Sequence, residues 1–112
     1  MSLSVSQNAD DARDAVATLL RAVPGTTAIA AFDDEIAVRV LGGLADLGLS
    51  APQDVAVIGF DDSRYGAAWR PALSTVRIDG RMFGRRGARA LLGLADEDSI
   101  SPPATVIVRE TT

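Results

Sequence analysis

Residues 54–63 read DVAVIGFDDS, an apolar run that closes on two adjacent carboxylates. A continuous run rich in valine and isoleucine is the pattern of a strand covered on both faces. The same Phe-Asp-Asp stands at 32–34, where it closes the run TAIAAF over 27–32. Two strands that end in the same acidic pair, 28 positions apart, frame the reading of everything around them.

Between the two runs, DEIAVRVLGGLADLGL (34–49) places Ile36, Val40, Leu44 and Leu47 at helical spacing, with Gly48 as the residue just past the helix end. Upstream, SQNADDARDAVATLLRAVPG (6–25) predicts a helix. Ser6 or Asn8 would cap it, Asp10, Asp11 and Asp14 suit its first turns, and Val16, Leu19, Leu20 and Val23 form its apolar stripe. Pro24-Gly25 ends it. Downstream of DDSRYGAAWRP, a third strand is expected over STVRI (74–78). DGRMFGRRGARALLGLADED (79–98) then predicts a long helix, with Met82, Ala88, Leu91, Leu92 and Ala95 inward and Arg81, Arg85 and Arg89 outward. SISPP (99–103) is a loop and ATVIVRE (104–110) a last strand. The order α-β-α-β-β-α-β reads as an α/β sheet with parallel strands and helical crossovers. Met1–Leu3 reads as an expression scar. A chain that opens on a helix with no strand before it reads as the later part of a larger unit.

Composition narrows the chemistry. The 112 residues suit one modest domain, and 47% apolar residues suffice for a core. No membrane span or secretory leader is expected. Cysteine and histidine are both missing, which removes disulfides, thiol nucleophiles, imidazole bases and the usual zinc ligands. All 11 basic residues are arginine, so a lysine Schiff base and a P-loop lysine are excluded as well. The net charge of −4 argues against nucleic acid as this chain's own partner. The charge is segregated: residues 1–62 hold three arginines against ten acids, whereas 64–89 hold seven against Asp79 alone.

In open α/β sheets, ligands bind outside the carboxyl ends of the strands. Asp33 and Asp61 stand at two such ends, so a ligand role is preferred for them. Asp34 and Asp62 stand where a helix or turn begins, and capping is the preferred reading there. Catalysis fits poorly. A phosphoryl-receiver site needs a lysine, a dehalogenase-type phosphatase needs Asp-x-Asp, and a serine nucleophile needs a base. No catalytic residue, metal or cofactor is therefore expected. Carboxylates in a crevice suit recognition of a polyol, whose hydroxyls donate to them.

At this point the motifs resemble a known family. APQDVAVIGFDDSRYGAAWRPALSTVRID (51–79) is similar to the segment of LacI/GalR-type bacterial transcription regulators in which P-x-D-V-x-V-x-G-F-D-D precedes P-P-L-T-T-V. TAIAAFDDEIAVRVLGGLADLGLS (27–50) resembles their T-A-I-x-x-x-N-D-x-x-A-x-G-x-x-x-A element, and FGRRGARALLGL with ATVIVRETT resembles the later helix and closing strand. The resemblance implies a partial doubly wound, periplasmic-binding-protein-like (type I) parallel sheet with flanking helices, truncated to its C-terminal portion over residues 4–112. Residues about 80–98 would cross back toward an N-terminal lobe, and operator DNA would be met only through a helix-turn-helix module outside this chain.

The resemblance also assigns roles. Asp61 matches an aspartate that contacts effector hydroxyls, and Asp33 stands where the family has asparagine, an acceptor-only change that leaves the effector's identity open. Phe60 would wall the site, with Ile78 and Gly80 on the crossover that lines it. Val38, Arg39 and Trp69 fall on the family's dimer face, Arg39 in place of a glycine. The implied function is a cytoplasmic regulator that binds a small-molecule effector, a carbohydrate, and pairs with itself as a homodimer. Alternatives are a periplasmic sugar-binding protein of a transporter and a stand-alone interaction module.

Overall fold

The computed structural model describes residues 9–95 and 104–112. Eight elements follow one another: α1 (Ala9–Ala22), β1 (Ala28–Ala30), α2 (Asp34–Asp46), β2 (Ala56–Ile58), α3 (Arg64–Ala68), β3 (Thr75–Arg77), α4 (Gly80–Leu91) and β4 (Thr105–Ile107). The caps expected at Ser6 or Asn8, the scar and the 99–103 loop lie outside the described residues.

β1 pairs with β2 in parallel, Ile29 opposite Val57. α2 is the crossover between them, as a parallel pair requires. β2 meets β3 through a parallel bridge between Ile58 and Ser74, so the three carboxyl ends lie along one edge. β4 departs from the all-parallel expectation, because it runs antiparallel to β3 with Val76 opposite Val106. After β4 the chain turns back into the gap between β2 and β3. There the Val57 N–H donates to the Thr111 carbonyl (2.8 Å), and Thr111 Oγ1 donates to the Val57 carbonyl (2.7 Å). Thr111 Oγ1 also accepts from the Ser74 N–H at 2.9 Å. These bonds satisfy strand groups that the short β2–β3 bridge leaves open.

The core forms where α1 and α2 cover this sheet. Val16, Ala37, Val40, Leu41, Leu44, Val55, Val57 and Leu73 make one buried cluster, with Ile29, Ile36 and Leu47 packed at its rim. Helical spacing in the sequence thus identified the inner face of α2. α1 and α2 approach closely because Gly43 carries no side chain. A Cβ there would stand 2.8 Å from the backbone oxygen of Ala12. Gly48 (φ +73°) turns the chain out of α2 in the left-handed conformation that favours glycine.

α3 was not anticipated as an element. Ser63 caps it, accepting the Gly66 N–H at 3.2 Å. α4 forms where the sequence predicted a helix but does not bury the predicted face. Met82 is buried, whereas Ala88, Leu91, Leu92 and Ala95 are exposed. No element among the described residues makes an extended contact with α4, so these four positions stay open to solvent. The molecule is elongated in consequence, with a radius of gyration of 16.9 Å against about 13 Å for a compact chain of this size.

Candidate binding site

The two Phe-Asp-Asp motifs close neighbouring parallel strands, and their backbones are joined directly. The Asp34 N–H donates to the Phe60 carbonyl at 2.9 Å. Each aspartate then has a different task, and the division differs from the capping reading. Asp33, not Asp34, caps α2: its Oδ1 accepts the Ile36 N–H at 2.7 Å. With two aspartates in a row, the cap is the one whose backbone stays extended, and Asp33 has φ −146° and ψ 176°.

Asp34 is buried, 2% exposed, and acts as a strut. Its Oδ2 accepts the Ser63 N–H at 2.6 Å and its Oδ1 accepts the Thr75 hydroxyl at 2.5 Å. Gly59 leaves the room it needs, since a Cβ there would collide with Asp34 Oδ1. Gly66 lies against the other carboxylate oxygen. The Thr75 hydroxyl that donates to Asp34 also accepts the Asp62 N–H at 3.2 Å. One fully buried threonine therefore joins the second aspartates of both motifs.

Asp62 is not a helix cap either, that place being taken by Ser63. Its carboxylate sits between two guanidinium groups. Oδ1 meets Arg109 Nη2 at 2.6 Å, and Oδ2 meets Arg77 Nε and Nη2, each at 2.6 Å. The hydrogen bond from Arg109, reinforced by Arg77, holds the Asp62 carboxyl below the usual carboxylate range against the opposing effect of burial. Arg109 is itself anchored by donating to the Leu73 carbonyl at 2.7 Å. Arg77 and Arg109 are site-building residues that sequence reasoning missed. Their separations from Asp62, 15 and 47 positions, carry no local signal.

Asp61 is exposed and has φ +98°, and Asp62 follows at +51°. The Asp61 N–H donates to the Val76 carbonyl at 2.9 Å, which keeps the turn beside the end of β3. Phe60 is half-buried just before this turn. Ile78, 39% exposed, follows β3, and Gly80 opens α4, its N–H donating to the Ile78 carbonyl at 3.2 Å. Asp79 between them caps α4 through the Met82 N–H at 3.1 Å. The five expected ligand positions thus lie on the segments that leave the carboxyl ends of β1, β2 and β3.

The positions expected on a dimer face lie elsewhere. Val38 is half-buried on α2 and packs against the core. Arg39 pairs with Glu35 at 2.7 Å. Trp69, 42% exposed, ends α3, which packs beside α2.

Residues 3–112 match the periplasmic binding protein-like domain, and the chain belongs to that family. Within it, the similarity is to LacI-type transcriptional regulators. The ribose operon repressor of Bacillus subtilis is 32% identical over 107 residues, covering 91% of this chain and 33% of the relative. The lactose operon repressor of Klebsiella pneumoniae is 33% identical, covering 83% of this chain and 27% of the relative. The crystal structure of a LacI family regulator from Arthrobacter sp. FB24 in complex with lactose superposes with a TM-score of 0.72 at 34% identity, over 96% of this chain and 42% of that one. The chain is a LacI-family segment of the periplasmic binding protein-like domain, and it spans about a third or less of the length of these curated relatives.

Proposed function

We propose that this chain supplies the C-terminal half of a carbohydrate site in a LacI-type regulator. Asp33 and Asp61 would accept hydroxyl groups of the sugar. Phe60 would offer an apolar face to its ring, and Ile78 and Gly80 would line the crossover. The observation that carries this reading is the pairing of β1 with β2, which sets the two Phe-Asp-Asp ends side by side at the carboxyl edge. The exposed Asp61 in left-handed backbone adds weight, because strained conformations of non-glycine residues concentrate at ligand sites. The lactose bound to the Arthrobacter regulator favours a sugar over other polyols.

The remaining parts of the reading concern the whole regulator. Residues about 80–98 would cross toward an N-terminal lobe that completes the cleft. Val38, Arg39 and Trp69 would meet a second copy. Operator DNA would be bound by a helix-turn-helix module outside this chain, in the cytoplasm. Among the described residues no helix is long and apolar enough to cross a membrane. Calorimetric titration of the intact polypeptide with lactose, cellobiose, ribose and galactose tests the substrate class. Saturable heat with at least one sugar is expected, and none with any of them contradicts the proposal.

A further inference from the structure

We infer that Asp62 is a positioning residue for the effector site: clamped by Arg109 and Arg77, it holds the turn that presents Asp61 at the end of β2. The inference rests on the ligand role proposed for Asp61. Two successive non-glycine residues with positive φ, +98° and +51°, are unfavourable without outside support. Glycine at either position would adopt this backbone freely. An aspartate at 61 is therefore kept in a costly conformation, and something must hold it there.

The support is tertiary. The Asp61 N–H is fixed to Val76 and the Asp62 N–H to the Thr75 hydroxyl, both from β3. The Asp62 carboxylate then fastens the turn to two elements at once, Arg77 at the end of β3 and Arg109 beyond β4. Arg109 is seated by two further bonds, its side chain donating to the Leu73 carbonyl and its backbone N–H to Ser74 Oγ at 2.8 Å. Among the described residues the charged groups bonded to Asp62 are these two arginines, and Asp34 is linked to it through the shared Thr75 hydroxyl and the neighbouring Ser63 N–H. The C-terminal segment, which touches none of the expected ligand positions through these bonds, becomes part of recognition through the shape of one turn.

The test uses the intact, isotopically labelled polypeptide and reads the intraresidue HN–Hα NOE of Asp61, which is strong only when φ is positive. Asp62→Asn and Arg109→Leu should lose that strong NOE while the core NOEs between α1 and α2 persist, and Arg109→Lys should retain it. With lactose as probe, Asp62→Asn should bind about tenfold more weakly, the effect of misplacing one hydrogen-bonding group. A strong Asp61 NOE in both Asp62→Asn and Arg109→Leu overturns the inference. So does loss of the NOE with unchanged lactose affinity. If Asp62→Asn does not fold, Arg77→Gln, which removes one arm of the clamp, is read by the same two criteria. If the wild type gives no heat with lactose, the NOE pattern alone decides. Failure of the ligand reading is recognised separately, as an Asp61→Ala protein that binds lactose like the wild type.

Discussion

Asp33, Asp34, Asp61 and Asp62 are four copies of one side chain with four different environments. Asp33 caps a residue three positions on, but the burial of Asp34 and the ion pairing of Asp62 follow from neighbours that are far away in sequence. That is why the motif was legible and its division of labour was not. The repeated Phe-Asp-Asp announced two strand ends, but nothing in residues 32–34 says that Thr75 will donate to Asp34. Likewise nothing in residues 60–62 announces Arg109. The environment of Asp62 has a consequence in acid. Its folded-state pKa is lowered, so its contribution to stability is complete above the unfolded carboxylate value, about 3.9, and is lost as pH falls through the folded value. Wild-type protein should therefore lose stability below about pH 4 more steeply than Asp62→Asn does. Near pH 7, Asp62→Asn should be less stable by about 1–3 kcal/mol, because Arg109 loses its anion. Urea denaturation at pH 7 and about pH 3 measures both, and equal pH slopes in the two proteins would remove the ion pair from this account. Part of the acid slope will remain in the variant, since Asp54 is also lowered by its hydrogen bonds from Ser50.

At the level of elements, periodicity was sufficient for α2 and insufficient for α4. Val40 and Leu44 are buried where the spacing placed them, because α1 and the sheet are there to receive them. Ala88, Leu91 and Leu92 have the same kind of spacing with no receiving surface among the described residues. A periodic stripe reports what a helix can bury, not what it does bury. The direction of β4 was also beyond sequence reading, since its three residues fit either direction equally well. The α1–α2 contact, by contrast, rests on a single identifiable residue. Gly43→Ala would place a methyl group 2.8 Å from the Ala12 carbonyl oxygen, a backbone atom that cannot rotate away. The helices must separate, at a cost of about 1–3 kcal/mol. Gly42→Ala, where a Cβ meets nothing within 4 Å, should be neutral or slightly stabilising. Thermal denaturation of the two variants separates them, and equal melting temperatures would contradict the close approach.

The whole molecule presents two surfaces suited to association, and they make different demands. β1 is an edge strand among the described residues, with β2 on one side only. An uncovered edge of small apolar residues pairs readily with another chain. The second surface carries Val38 on α2 and Trp69 after α3, and an exposed tryptophan is a common anchor of interfaces. If the α2–α3 face makes the dimer, Trp69→Ala or Val38→Asp should dissolve it, a buried aromatic anchor contributing about 2 kcal/mol or more. If the edge makes it, Ile29→Lys should. The α2–α3 face is the expected one, and light scattering that finds only monomer at about 100 μM contradicts both. The central claim, however, concerns the sugar site, and one titration addresses it most directly. The sugar that gives the largest heat with the intact wild-type polypeptide is titrated into Asp61→Ala. Loss of a hydrogen bond to a charged group, about 1.5–3 kcal/mol, should weaken binding by about 10- to 150-fold. An Asp61→Ala protein that binds that sugar with wild-type affinity would contradict the account.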